Sequence, residues 1–132
     1  MTRINVIDPK DLTDQHLMAE YRELPRIYKL ANDAYNRGLP AIPPRYALGK
    51  GHVLFFYNKI TFLINRHNAL IIEMHNRNYK TNFLAPPVSD FPSELTKTIW
   101  VPDTEEILIN LARLLEREPY HEPYRTLKNI DF

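Results

Sequence analysis

Two places in the sequence gather groups that can do chemistry: the residue after Met1, and one face of a helix within residues 14–37. Thr2 is small, the kind of residue that permits removal of Met1, and removal leaves a free α-amine on Thr2. An α-amine has a pKa of about 7.7–8.0, against about 10.4 for a lysine. At pH 7 roughly a tenth of it is neutral, against about 0.04% of a lysine, on the order of a few hundredfold more nucleophile without any burial. Arg3 and a nearby helix N-terminus would lower that pKa further, because each disfavours a second positive charge.

The helix face is read from a wheel. With His16 at zero, Glu23 falls at about −20°, Arg26 at about −80° and Arg22 at about −120°. Leu17, Tyr21, Leu24 and Tyr28 occupy the opposite arc and face a core. Arg22 and Arg26 are i, i+4 neighbours that Glu23 alone cannot neutralise, and guanidinium forks at this spacing suit phosphate oxygens. The same arc also reads as an ordinary solvated face, with Glu23 and Arg26 forming an i, i+3 pair. Both readings stand at this point.

A neutral amine beside a carboxylate has a definite use. It can attack the anomeric carbon of a deoxyribose, expel the base and leave an imine. The imine acidifies the neighbouring sugar carbon, so that the 3′ phosphate leaves by β-elimination. A nearby carboxylate stabilises the cationic sugar and assists the proton transfers. The scheme requires no metal and no cofactor.

Bulk properties narrow the class. The chain has 132 residues, 44% of them hydrophobic and 25% charged, which fits one compact domain, residues 1–132. Absence of cysteine excludes disulfides, thiolate chemistry and cysteine-ligated zinc. His52, His67 and His75 lack paired ligand spacing, so no metal site is expected. No run of 18 apolar residues is present and the start is not that of a signal peptide, so the expected location is the cytoplasm or nucleoid of a bacterial or virus-infected cell, without secretion. Net charge is only +1. Between Ala34 and Ser89, however, Arg37, Arg45, Lys50, Lys59, Arg66, Arg77 and Lys80 face a single acid, Glu73. This sector reads either as a phosphate-binding surface or as uneven surface charge.

Three helices are expected to position these groups, and the fold class is all-α. The first runs from about Asp14 to Arg37 and stops at Gly38, with Pro25 kinking it near Tyr21–Glu23 or dividing it in two. The second spans roughly Gly51–Asn78. The third begins at Asp103, with Glu106 completing a capping box, and ends before Pro119. Pro43-Pro44 and Pro86-Pro87 stiffen the connections. Phe55, Phe56, Phe62 and Leu63 read as core. Gly49-Lys50-Gly51 is too short for a phosphate loop.

Three blocks carry a resemblance. Thr2-Arg3-Ile4-Asn5, the thirteen residues Asp14-Gln15-His16-Leu17-Met18-Ala19-Glu20-Tyr21-Arg22-Glu23-Leu24-Pro25-Arg26, and Gly51-His52-Val53 with Phe55-Phe56-Tyr57 closely resemble the phage endonuclease V-type pyrimidine-dimer DNA glycosylases. The resemblance is strong over the first 26 residues and around residues 48–63, and weaker from residue 70 onward, although Ala112-Arg113-Leu114 also matches. It implies a single all-α domain whose N-terminal segment passes between helices. It implies excision of cyclobutane pyrimidine dimers with strand cleavage, through an imine on the terminal amine and without metal. By position, Thr2 would be the nucleophile and Glu23 the essential carboxylate. Arg3, Arg22 and Arg26 would bind phosphates, Gln15 and His16 would touch the substrate, and Arg113 would reach the DNA backbone. The implied partner is damaged duplex DNA, bent and with a base extruded, bound by a monomer.

Two departures from the family pattern stand out. Arg117 replaces a lysine four residues after Arg113. The family's C-terminal run Trp-Tyr-Lys-Tyr-Tyr is absent, and the nearest stretch is Pro119-Tyr120-His121-Glu122-Pro123-Tyr124-Arg125, where Tyr120 and Tyr124 are the candidate lesion-contacting aromatics. Two other functions therefore remain open: a lyase for abasic sites or other damaged bases, and a DNA-binding module without catalysis.

Overall fold

The computed structural model describes residues 3–82 and 84–116, and every regular element among them is helical. Six α-helices follow in order: α1 (Asp14–Glu23), α2 (Pro25–Arg37), α3 (His52–Phe55), α4 (Ile60–Asn76), α5 (Ser93–Thr96) and α6 (Thr104–Glu116). Short 3₁₀ turns at Pro9–Asp11, Phe56–Asn58 and Val88–Asp90 connect them.

The expected three main helices become four long ones, because two of the expected helices are broken. The first divides at Leu24. Pro25 has no N–H to give the Tyr21 carbonyl, so α1 ends at Glu23 and Pro25 opens α2 in the first-turn position that suits it. The second breaks at Lys59, whose φ of −124° and ψ of 39° lie outside the helical region. There the Lys59 ammonium donates to the Phe55 carbonyl at 3.0 Å and to Asn58 Oδ1 at 2.9 Å, and sits 3.8 Å from the Phe55 ring centroid. The backbone N–H of Lys59 bonds the Phe56 carbonyl instead, in 3₁₀ fashion. Hydrophobic spacing shows the face that a segment buries, but not the side chain that interrupts its ladder.

Helix ends follow local chemistry. The Thr13 hydroxyl accepts from the His16 N–H at 3.2 Å and caps α1. Gly38 takes a φ of +96° just past α2. At α6 the expected capping box is present: Asp103 Oδ1 accepts from the Glu106 N–H at 2.8 Å, and Glu106 Oε1 accepts from the Asp103 N–H at 3.1 Å.

The core gathers Leu12, Leu17, Tyr21, Leu24, Ile27, Ile60, Leu63, Leu70 and Leu114, with Ile4 from the N-terminal segment among them. Phe55 and Phe56 are fully buried beside Trp100, whose ring lies 5.0 Å and 5.7 Å from theirs. Packing these rings on α4 and α2 sets the frame through which residues 3–8 are threaded. Among the described residues no helix is long and apolar enough to cross a membrane.

Candidate nucleic-acid interface and active site

The N-terminal segment is extended and buried, so its backbone polar groups need partners. They find them on distant elements. The Ile4 N–H donates to His52 Nε2 at 2.8 Å, and the Ile4 carbonyl accepts from the Tyr46 hydroxyl at 3.0 Å. The Val6 N–H donates to Asn110 Oδ1 at 2.7 Å, and the Ile7 carbonyl accepts from Arg66. The Asn5 side chain lies between α1 and α6, donating to Glu20 Oε1 at 2.8 Å and accepting from Asn110 Nδ2 at 2.8 Å. Arg66 on α4 closes the network with a fork on Glu20, at 2.7 Å and 2.9 Å. Both charged side chains are almost wholly buried, at 6% and 1% exposure. A buried pair of this kind holds position because either partner alone would be an uncompensated charge.

Threading delivers Arg3 to an open cleft of about 80 Å³ lined by Arg3, Asn5, His16, Ala19, Glu20, Glu23 and Leu114. His16 and Glu23, close together on the sequence wheel, thus share one wall with Arg3. Glu23 Oε2 accepts from Arg26 Nη1 at 2.6 Å, an exposed i, i+3 pair. The alternative surface reading of that pair is therefore geometrically real, and such a pair contributes only a few tenths of a kcal/mol.

The other candidates fall around this cleft rather than in it. Arg22 lines a separate groove with Met18, Tyr21, Met74, Lys80 and Asn82. Arg26 lines a shallow depression with Lys29, Leu30 and Asp33. Gln15 is exposed in the first turn of α1. Arg113 precedes the cleft residue Leu114 on α6 and pairs with Glu116 at 3.2 Å. Thr2, Arg117, Tyr120 and Tyr124 lie outside the described residues.

The basic middle of the chain is partly spoken for within the fold. Arg66 is locked on Glu20, and Lys59 is buried. Arg77 donates to Glu73 and Asp14, both at 2.7 Å, and to the carbonyls of Pro9, Lys10 and Leu12. Arg45 pairs with Asp103 at 2.8 Å. Three of the seven cations of the basic sector, Lys59, Arg66 and Arg77, are thus committed inside the fold, whereas Arg45 pairs at the surface and stays accessible like Arg37, Lys50 and Lys80.

Sequence reasoning missed the network that holds the segment: Asn5, Glu20, His52, Arg66 and Asn110. One signal was present. Arg66 lies three residues after Leu63 and four before Leu70, on the buried side of α4, where an arginine needs a partner. His52 was weighed only as a metal ligand. Burial pushes its pKa below the ordinary histidine value, against a smaller opposing effect of the Ala47 carbonyl, and the charge of Arg3 adds a lesser lowering. Among the described residues no three His, Asp or Glu side chains gather as a metal-ligating set.

A family model described as pyrimidine dimer DNA glycosylase matches residues 1–86, which include Arg3, all of α1 with His16, Glu20 and Glu23, and both His52 and Arg66. That match covers most of the chain and nearly all of the cleft, and the chain belongs to the pyrimidine dimer DNA glycosylase family, enzymes of DNA repair.

Proposed function

We propose that the protein excises cyclobutane pyrimidine dimers from UV-damaged duplex DNA and cuts the resulting abasic site by β-elimination, with the Thr2 α-amine as nucleophile. The observation that carries this reading is the meeting of Arg3, His16 and Glu23 at one open cleft, beside a buried segment that leads back to residue 2. The amine nitrogen bonds to C1′ as the glycosidic bond breaks, and the base leaves with the electron pair and takes up a proton; the nitrogen then loses a proton and its lone pair opens the C1′–O4′ bond, O4′ taking up a proton as the iminium forms. Glu23 stabilises the positive sugar. Loss of a C2′ proton from the iminium expels the 3′ phosphate, and water then hydrolyses the imine and frees the amine. No step changes oxidation state or calls for a metal.

Arg3, Arg22 and Arg26 bind the phosphates around the lesion, with Gln15 and His16 at the sugar and Arg113 and Arg117 on the backbone. The Glu23–Arg26 pair fits this role. A phosphate oxygen is a better partner for an exposed guanidinium than a carboxylate already half in water, so bound DNA takes Arg26 and leaves Glu23 for the sugar. Tyr120 and Tyr124 contact the lesion, and the enzyme acts as a monomer.

Borohydride trapping tests the reading. The expected product is a DNA adduct that peptide mass mapping places on Thr2, from dimer-containing and abasic duplexes alike. Tight binding without adduct overturns the chemistry in favour of a binding module. The altered stretch Pro119–Arg125 favours a second reading, a lyase without dimer selectivity, and adduct from the abasic duplex alone selects it.

A further inference from the structure

We propose that His52 is a positioning residue for the terminal amine: its neutral imidazole, held between the Ala47 carbonyl and the Ile4 N–H, fixes how far the chain end reaches into the cleft. This inference rests on the amine reading above.

Partner types decide the state of the ring. A backbone N–H only donates and a carbonyl only accepts. His52 Nε2 faces the Ile4 N–H at 2.8 Å, and Nδ1 faces the Ala47 carbonyl at 3.0 Å. The ring must therefore carry its proton on Nδ1 and none on Nε2. It is almost fully buried, with the Tyr46 and Phe56 rings each 5.4 Å away, so its orientation is fixed. Tyr46 also takes the Ile4 carbonyl. Ile4 is thus pinned at both backbone groups by residues 46–52, and its side chain is fully buried.

Reach then follows from chain geometry. Two residues span at most about 7 Å, so pinning the Ile4 nitrogen confines the Thr2 amine to a small sphere around it. Attack needs the reacting atoms about 3–3.5 Å apart, and a misplacement of about 1 Å can cost on the order of a hundredfold. Protonation of Nε2 would turn the acceptor into a donor facing a donor, and would set its charge near Arg3. Arg3 is the charged group acting on the ring, Tyr46 and Phe56 pack against it, and Ala47 offers only its carbonyl. Because burial and Arg3 lower the pKa, the neutral ring persists through neutral pH. Its contribution to stability is complete above about 6.5 and is lost as pH falls through the lowered value.

Single-turnover trapping on abasic duplex, with DNA affinity and thermal melting measured in parallel, tests the role. His52→Phe is expected to slow adduct formation about 30–100-fold while DNA affinity changes less than about threefold. His52→Gln places an oxygen near the Nε2 position and is expected to recover about tenfold of that loss. A folded His52→Phe protein that traps within about threefold of the unaltered one overturns the proposal, as does a His52→Gln protein no better than His52→Phe. Should His52→Phe fail to fold, NMR of the unaltered protein decides. The Ile4 amide is expected to shift in step with the His52 ring on acidification. An Ile4 amide indifferent to that titration overturns the anchor. Absence of any adduct from the unaltered protein overturns the amine reading itself, whereas equal adduct from His52→Phe overturns only the anchor.

Discussion

Glu20 and Glu23 lie three residues apart on α1, and the fold treats them in opposite ways. Glu20 is 1% exposed and holds three hydrogen bonds, two from the Arg66 fork and one from Asn5. Glu23 is 33% exposed and pairs with Arg26, which is itself 66% exposed. A turn of about 300° separates them on the helix, and although both border the cleft, it is enough to bury one carboxylate and leave the other open to solvent. Identical chemistry thus becomes a structural fastener where three buried donors hold it, and an accessible group where water and ligand can reach it.

Removing the charge at Glu23 gives the largest expected effect. Glu23→Gln should lower incision about a thousandfold or more, with melting and DNA affinity nearly unchanged. Single-turnover incision measures this, and surviving turnover would erase the distinction between the two carboxylates. The next effect falls on stability. Glu20→Gln leaves Arg66 buried without its counter-charge and should cost roughly 3–5 kcal/mol in urea unfolding, whereas Glu20→Leu with Arg66→Met should cost far less. A loss below about 1 kcal/mol for Glu20→Gln would class Glu20 with the solvent-relaxed acids.

The smallest effect sharpens the same contrast among the cations. Arg22→Ala should weaken DNA binding about tenfold and flatten the salt dependence by about one unit of slope. Arg77→Met should reduce stability and leave that slope unchanged, since its guanidinium is already committed to Glu73 and Asp14. Fluorescence titration at several salt concentrations separates the two, and an equal slope change in both would return Arg77 to the DNA-binding surface.

Much of this was legible before any coordinates. The apolar arc of α1, the stop at Gly38, the Asp103–Glu106 cap and the convergence of His16 and Glu23 all come from contacts within a few residues, which spacing encodes directly. The break at Lys59 was not legible, because it depends on one ammonium turning back onto Phe55. Nor was the Asn5–Glu20–Arg66–Asn110 network, whose members only meet once four separate segments pack. Charge counting failed for the same reason: Arg66 and Arg77 look available until Glu20 and Asp14, far away in sequence, are brought to them. Side chains at the cleft could be found from spacing, whereas the side chains that hold the cleft in register could not.

The hydrogen bonds that Val6 donates to Asn110 and Asn110 donates to Asn5 join positions 104 and 105 apart in sequence. During synthesis, then, the N-terminal segment emerges first and is fully seated only at the end. Until α6 has been made and docked, Asn5 and Val6 each lack their bond to Asn110, whereas the partners of Ile4, Tyr46 and His52, are already in the chain. Complete seating of the segment that borders the cleft is thereby tied to a finished fold.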